Sequence, residues 1–411
     1  MKRQPTVEQQ LLVLVPLALT AFGLVMVYSA TSASAALGNG NPMGYLERQG
    51  TYALLGLVAL VVAARMDVQA LRRSAPTLVV AALVLCLAVL VVGERINGAR
   101  RWLGAGPAAF QPSELAKLAL CVWLSAHLAR TPPPRSLKGL ARPVGLLIGL
   151  FCLLILAEPD LGTVITIVVM VGAVLLVSGT PLPTLAGAYG IVVSLGAVAA
   201  WSSPYRRARL FTFLDPWKDP LGAGLQNVQA QISLGSGGIF GRGLGQGIEK
   251  IHYLPEAHTD MIFAVIGEEL GLVGAAVLVA GYCAFAYAGL RLALTCKDPF
   301  GKRLAAGITA LITGQAAINL AAVLGLAPLT GIPLPFVSYG GSSLMVSLLS
   351  VGVLLNIARG GGRTAAAGAD RGRRNGGARR PVARGGGGAA RARGGGDLRR
   401  VAGSRRGAAR S

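Results

Sequence analysis

Charge is scarce in this 411-residue chain: only 14% of residues are charged, against roughly 25% in an average soluble domain. Acids are scarcer still, 17 against 39 lysines and arginines, and there are three histidines. The chain has no HExxH, Walker or CxxC sequence, and His127 and His252 have no ligand-like spacing, so nothing points to a metal site built tightly by the protein. Cys86, Cys121, Cys152, Cys283 and Cys296 all lie in or beside apolar segments. They read as small core or lipid-facing residues, with no disulfide framework. Apolar residues, by contrast, are abundant, at 53% with a mean hydropathy of +0.59. This composition is that of an integral membrane protein.

A hydrocarbon core about 30 Å thick needs roughly twenty apolar residues per helix. That ruler predicts an all-α protein of about ten transmembrane helices, near 11–30, 50–65, 75–93, 113–130, 143–157, 161–178, 183–201, 260–289, 304–326 and 340–358. The first is too long for a signal-peptide core and reads as an uncleaved span. Arg65, Arg72 and Arg73, then Arg130, Arg135, Lys138 and Arg142, then Arg291, Lys297, Lys302 and Arg303, and finally Arg359 fall on one side of such a bundle. The positive-inside rule makes that side the cytoplasm, with both termini inside. Residues 1–359 then form the membrane domain, and the large extracytoplasmic loop, about 202–259 between the seventh and eighth helices, reads as an ordered cap that buries Leu210, Phe211, Phe213, Trp217, Ile232 and Leu234. Residues 360–411 read as a disordered Arg/Gly-rich cytoplasmic tail, which carries about half of the +22 net charge and suits the anionic inner leaflet better than nucleic acid. Arg95, Arg100 and Arg101 in ERINGARRW fall on the disfavoured outer side, as an anionic ligand or pairing with Glu94 would explain.

Polar residues inside the spans need partners or a function. FQPSELAKL places Glu114 three residues before Lys117, a spacing that allows a pair, while Lys117 below an outer cavity also suits a phosphate. Glu268 and Glu269 lie two turns inside their helix and read as interhelical glue, and Gln315 and Asn319 are polar within another span. Asp160, after Pro159, reads as a helix cap. Asp260 lies at the outer mouth, where a carboxylate serves as a helix cap or as a general base reaching water and substrate together. GSGGIFGRGLGQG lacks the strand and helix of a dinucleotide fingerprint and reads as a hinge or an anion cradle. The prolines and glycines of GLAPLTGIPLPFVSYGGSS describe a broken turn into the last span, with Ser338, Ser342 and Ser343 shaping a cavity floor.

Taken together, GARRWLGAGPAAFQPSELAKLAL, AEPDLGTVITI, YRRARLFTFLDPW, LGSGGIFGRGLGQG, LPEAHTDMIFAVIGEELGLVGA, QAAINLAAVLGLAPLTGIPLPFVSYGGSSL and LLNIAR resemble, in order, the SEDS proteins of shape, elongation, division and sporulation. PEAHTD and PLPFVSYGGSS look closest to the division members; elongation members differ where Ala257 stands. The resemblance implies a peptidoglycan glycosyltransferase that polymerises lipid II on the outer face of the bacterial cytoplasmic membrane, at the septum, with a class B penicillin-binding transpeptidase and other division proteins. It maps the family's essential aspartate onto Asp260, its motif tryptophan onto Trp102 and its lysine onto Lys117. Arg100, Arg101, Lys117, Arg206 and Arg207 would face the pyrophosphate of undecaprenyl-linked substrates, and Ser338 and Ser342 would contribute to the substrate cavity. No tightly bound cofactor is implied, although Mg²⁺ or Mn²⁺ could accompany the pyrophosphate. Some division members carry a basic residue just before the FQP motif; Ala109 and Phe110 stand here, so that contact does not transfer. Rival readings are an elongation-type polymerase, a lipid II flippase or transporter using Lys117, Glu268 and Glu269, and a noncatalytic division scaffold.

Overall fold

The computed structural model describes residues 6–36, 41–96, 99–104, 109–201, 207, 211–222, 224–248 and 257–376. The chain divides into two units, Met1–Thr364 and Ala365–Ser411, and every element below belongs to the first. Its helices are α1 (Val7–Ala36), α2 (Pro42–Ala63), α3 (Val68–Arg73), α4 (Ala75–Val92), α5 (Pro112–Leu128), α6 (Leu137–Leu140), α7 (Leu146–Ala157), α8 (Leu161–Val177), α9 (Leu182–Trp201), α10 (Leu225–Ser236), α11 (Ile262–Thr295), α12 (Pro299–Val323) and α13, whose span is Gly341–Gly360. Each of the ten apolar stretches of sequence corresponds to a helix. Seven are long and apolar enough to cross a membrane, with α6 and α7 counted as the single segment Leu137–Ala157. The apolar parts of α8 and α9, and the 17-residue α5, are shorter.

Local chemistry starts these helices where the chain changes direction. Asn41 and Asp298 cap α2 and α12 ahead of Pro42 and Pro299, and Asp160 caps α8 by accepting from Thr163 N at 3.1 Å. The spans are apolar all round, as lipid requires: Val62, Val84, Leu153 and Val198 face outward while Leu120, Ile155, Ile167 and Leu348 are buried. Helix α12 packs on α11, α8 and α5, and α11 packs on α1, so these elements form the centre of the bundle. Helix α13 closes on α2, where any Cβ at Gly352 would lie 2.3 Å from Leu60 O.

A two-stranded hairpin, β1 (Glu94–Ile96) with β2 (Ala99–Trp102), joins α4 to α5. The expected burial of the cap's apolar residues holds only in part: Phe213 is half-buried and Ile232 is exposed. In α10, Val228 and Ala230 are buried, and Leu234 packs on the core. Phe211, Leu214 and Trp217 are more than half exposed instead, and Leu210 lies outside the described residues.

Candidate active site

Asp260 closes a turn, Ala257–Met261, that leads into α11. The turn is tied to the segment 327–340 between α12 and α13: Tyr339 N donates to His258 O at 2.9 Å. The rings of Tyr45, His258 and Tyr339 meet with centroids 5.0–5.5 Å apart. Thr259 Oγ1 lies 3.2 Å from Asp260 Oδ1. A Cβ built on Gly331 would lie 4.0 Å from Asp260 Oδ2, so the half-buried carboxylate sits beside a glycine, which at φ +70° also takes a backbone conformation that side chains disfavour.

Segment 327–340 is held from below and from the sides. Gln315 Nε2 donates to Pro333 O at 2.9 Å, and Asn319 Nδ2 donates to Ile332 O at 2.9 Å and to Asp260 O at 2.8 Å. Tyr282 Oη donates to Pro335 O, and Gln49 Nε2 donates to Ser338 O at 3.1 Å. Phe336, at φ +68° and buried, packs edge-on against Phe285. A bulky residue in that conformation persists only where its surroundings over-determine it. The prolines and glycines had suggested a rigid turn; its anchors on α2, α11 and α12 were not legible, because each partner is remote in the chain.

The other predicted residues divide into groups. Ser338 Oγ accepts from Leu334 N at 2.8 Å and Ser342 Oγ accepts from Gln111 N at 3.0 Å; both serines are buried and brace the turn and the start of α5. Gln111 Nε2 reaches the capping carboxylate of Asp160 at 3.2 Å. Lys117 Nζ lies 2.9 Å from Glu114 Oε1 and 2.6 Å from Gln315 Oε1, at 1% exposure. The expected i,i+3 pair therefore forms, and the ammonium sits inside the bundle rather than at a surface a phosphate reaches.

Arg100 Nη1 donates to Leu90 O at 3.0 Å and Val91 O at 3.2 Å, and Arg101 Nε donates to Glu158 O at 2.9 Å. These outward-facing positives cap the carbonyl ends of α4 and α7, where a cation complements the helix dipole, rather than pairing with Glu94. Trp102 stands half-buried on β2, opposite Glu94. Arg207 lies 5.9 Å from the Trp201 ring, and Arg206 lies outside the described residues.

Glu268 and Glu269 belong to a separate cluster. Ile248 N donates to Glu268 Oε1 at 2.7 Å, with Arg242 at 3.6 Å, and Ser29 of α1 donates to Glu269 at 2.7 Å. Helix α11 is interrupted at Gly271, φ +66°. The glycine-rich loop fills the gap: Arg242 N and Gly243 N donate to Glu268 O and Glu269 O at 3.0 and 2.9 Å, and Leu272 N and Val273 N donate to Gly238 O and Ile239 O at 3.0 and 3.1 Å. Those loop amides and carbonyls complete a broken helix, which sequence reasoning about hinges and anion cradles had missed. Beside them, Leu234, Ile239, Phe263, Leu272, Ala276 and Val279 line an apolar groove of about 850 Å³.

The family model for cell cycle proteins of the FtsW, RodA and SpoVE type matches residues 9–361. The chain is 41% identical over 343 residues to a probable peptidoglycan glycosyltransferase FtsW of Geobacter sp. strain M18, covering 82% of this chain and 93% of the relative. It is 38% identical over 365 residues to the stage V sporulation protein E of Bacillus subtilis strain 168, covering 87% and 99%. Among solved structures it resembles a chain of a peptidoglycan synthase complex that coordinates polymerization and crosslinking, with a TM-score of 0.72 at 33% identity over 85% of this chain and 97% of that one. The rod shape determining protein RodA of Thermus thermophilus matches with a TM-score of 0.63 at 32% identity, covering 85% and 95%.

Proposed function

Because the chain belongs to the family of FtsW, RodA and SpoVE cell cycle proteins and is a peptidoglycan glycosyltransferase of the membrane, we propose that it polymerises lipid II at the outer membrane face with Asp260 as general base. The observation that carries this reading is the half-buried Asp260 carboxylate at the mouth of α11, seated beside Gly331 on a turn whose backbone is anchored. A base must reach the proton it takes while its own position stays fixed. Asp260 takes the proton of the acceptor sugar's 4-hydroxyl, and that oxygen attacks the donor's anomeric carbon. The bond to pyrophosphate breaks and undecaprenyl pyrophosphate leaves. An α-linked donor and a β-linked product require inversion, for which one base and no covalent enzyme intermediate suffice.

Arg100 and Arg101 on the hairpin and Arg207 beside Trp201 of α9, together with Arg206, are proposed to face the pyrophosphate. Lys117 acts inside the bundle by orienting Gln315, and Trp102 is proposed to form part of the outer wall. A Mg²⁺ or Mn²⁺ ion arriving with the substrate is proposed to be ligated mainly by phosphates and water.

The partner in this reading is a class B penicillin-binding transpeptidase; the similarity to a chain of a peptidoglycan synthase complex supports it. Similarity to relatives named FtsW supports a septal role over elongation, and the basic cytoplasmic loops support both termini inside. The transport alternative needs mobile intramembrane charge, and its candidates Lys117, Glu268 and Glu269 are each engaged by protein groups.

The test is polymerisation of labelled lipid II by the purified protein with its transpeptidase, for wild type, Asp260→Asn and Asp260→Ala. Loss of about 10²–10⁴ in rate in folded, partner-binding variants is expected. Polymerisation retained by both variants would move the base elsewhere.

A further inference from the structure

We propose that Asn319 is the positioning residue for Asp260, and that Gln315, one turn earlier on α12, completes the same clamp. The inference rests on the reading of Asp260 as general base.

Residues four apart on a helix share a face, so both amides of α12 point at segment 327–340 and the turn before α11. Asn319 uses both amide protons on main-chain carbonyls, 2.8 Å to Asp260 and 2.9 Å to Ile332. Ile332 directly follows Gly331, the residue beside the Asp260 carboxylate. One side chain thus fixes both walls of the seat: the backbone that carries the carboxylate and the backbone that faces it. Gln315 does the same one step along, donating to Pro333 O at 2.9 Å and lying 3.4 Å from Ser343 Oγ.

Two details separate a clamp from ordinary interhelical glue. Asn319 Oδ1 is buried and has no hydrogen-bond partner among the described residues. A buried amide kept for stability would have its acceptor satisfied, or would be replaced by an apolar residue of similar shape. What the position needs is two donors in one plane. The Gln315 amide, in turn, is oriented by charge: its Oε1 accepts from Lys117 Nζ at 2.6 Å, and Lys117 is itself held by Glu114 at 2.9 Å. The buried ammonium leaves Gln315 only one way to point, with its donors toward Pro333.

The experiment measures lipid II polymerisation by the full-length protein with its transpeptidase across pH, for wild type, Asn319→Asp, Asn319→Leu, Gln315→Met, Ser350→Ala and Asp260→Asn. Both Asn319 variants are expected to lower kcat at least tenfold with KM within threefold, and to move the acid limb of the pH profile. Gln315→Met should fall between them and wild type. Ser350→Ala, which loses a 2.7 Å bond to Val346 O inside α13, should lower Tm alone. Folded Asn319 variants with wild-type kcat and an unmoved profile, or with losses that merely track the folded fraction, overturn the clamp. If neither Asn319 variant is recovered folded, Gln315→Met decides by the same readouts. Polymerisation by Asp260→Asn removes the base reading and the clamp together; an inactive Asp260→Asn beside wild-type Asn319 variants removes the clamp alone.

Discussion

Two acidic positions on one stretch of chain, Asp260 and the pair Glu268 and Glu269, are treated in opposite ways by the fold. Glu268 and Glu269 are wholly buried, and their carboxylates take donors from Ile248 N and from Ser29 of α1. Asp260 is half-buried at the helix mouth, and the side chain of Asn319 holds it by its main-chain carbonyl. The two joint carboxylates are gripped through their oxygens by remote segments, whereas α12 grips the Asp260 turn through its backbone. The glycine-rich loop extends the first pattern, since its main chain supplies the hydrogen bonds that α11 loses around Gly271.

The contrast is sharpest in exchanged outcomes. Asp260→Asn should cost about 3–5 kcal/mol of barrier, read as the 10²–10⁴ loss in kcat, while Tm stays within about 2 °C of wild type. Gly241→Val should do the reverse. A Cβ there meets Glu269 O at 2.1 Å, from a backbone at φ +81°, so the loop must leave its seat on the broken helix. A loss of about 2–4 kcal/mol in stability is expected, measured by thermal unfolding in detergent, with kcat per folded molecule within about threefold. Glu269→Ala is the milder version. It removes the two carboxylate oxygens that accept from the buried Ser29 hydroxyl, for about 1–3 kcal/mol, again without a specific loss of kcat. Should Glu269→Ala abolish polymerisation in well-folded protein, the two regions would not be separable.

Much of this division was legible before any coordinates. The ten helices follow from the length of apolar sequence that a bilayer demands, and Asp260 stood out because it lies at a mouth rather than inside. The i,i+3 spacing allowed the Glu114–Lys117 pair, but nothing local says that Gln315, 198 positions later in the chain, takes the ammonium's other side. The partners of Arg100 and Arg101 were not legible because they are main-chain carbonyls, which every residue has and no sequence pattern marks. The same holds for the glycine loop. Gly237 and Gly241 are required by close approach to α11, a tertiary fact, and hinge chemistry writes the same letters.

Glu158 tests the contrast from a third side, because its backbone carbonyl is bonded while its buried carboxylate oxygens are not. It is buried, both carboxylate oxygens lack a partner among the described residues, and Arg101 bonds its backbone carbonyl instead. Burial, reinforced by the neighbouring Asp160 and opposed by Arg101, pushes this carboxyl from its ordinary value up to about 8. The fold therefore keeps it protonated at neutral pH, whereas the unfolded chain ionises near the ordinary value. Between those two values the folded state holds the extra proton, so this contribution is complete below the unfolded pKa and is lost as pH rises through about 8. Thermal unfolding of the wild type should fall by at least about 3 °C more between pH 5 and 9 than that of Glu158→Gln, which carries a neutral side chain at every pH. Polymerisation by Glu158→Gln at pH 7 should stay within about twofold of wild type, because the replaced group is already neutral there. Equal slopes for the two proteins would mean that Glu158 is ionised and paired in the fold, and that the grip on carboxylate oxygens seen at Glu268 and Glu269 extends to the outer rim.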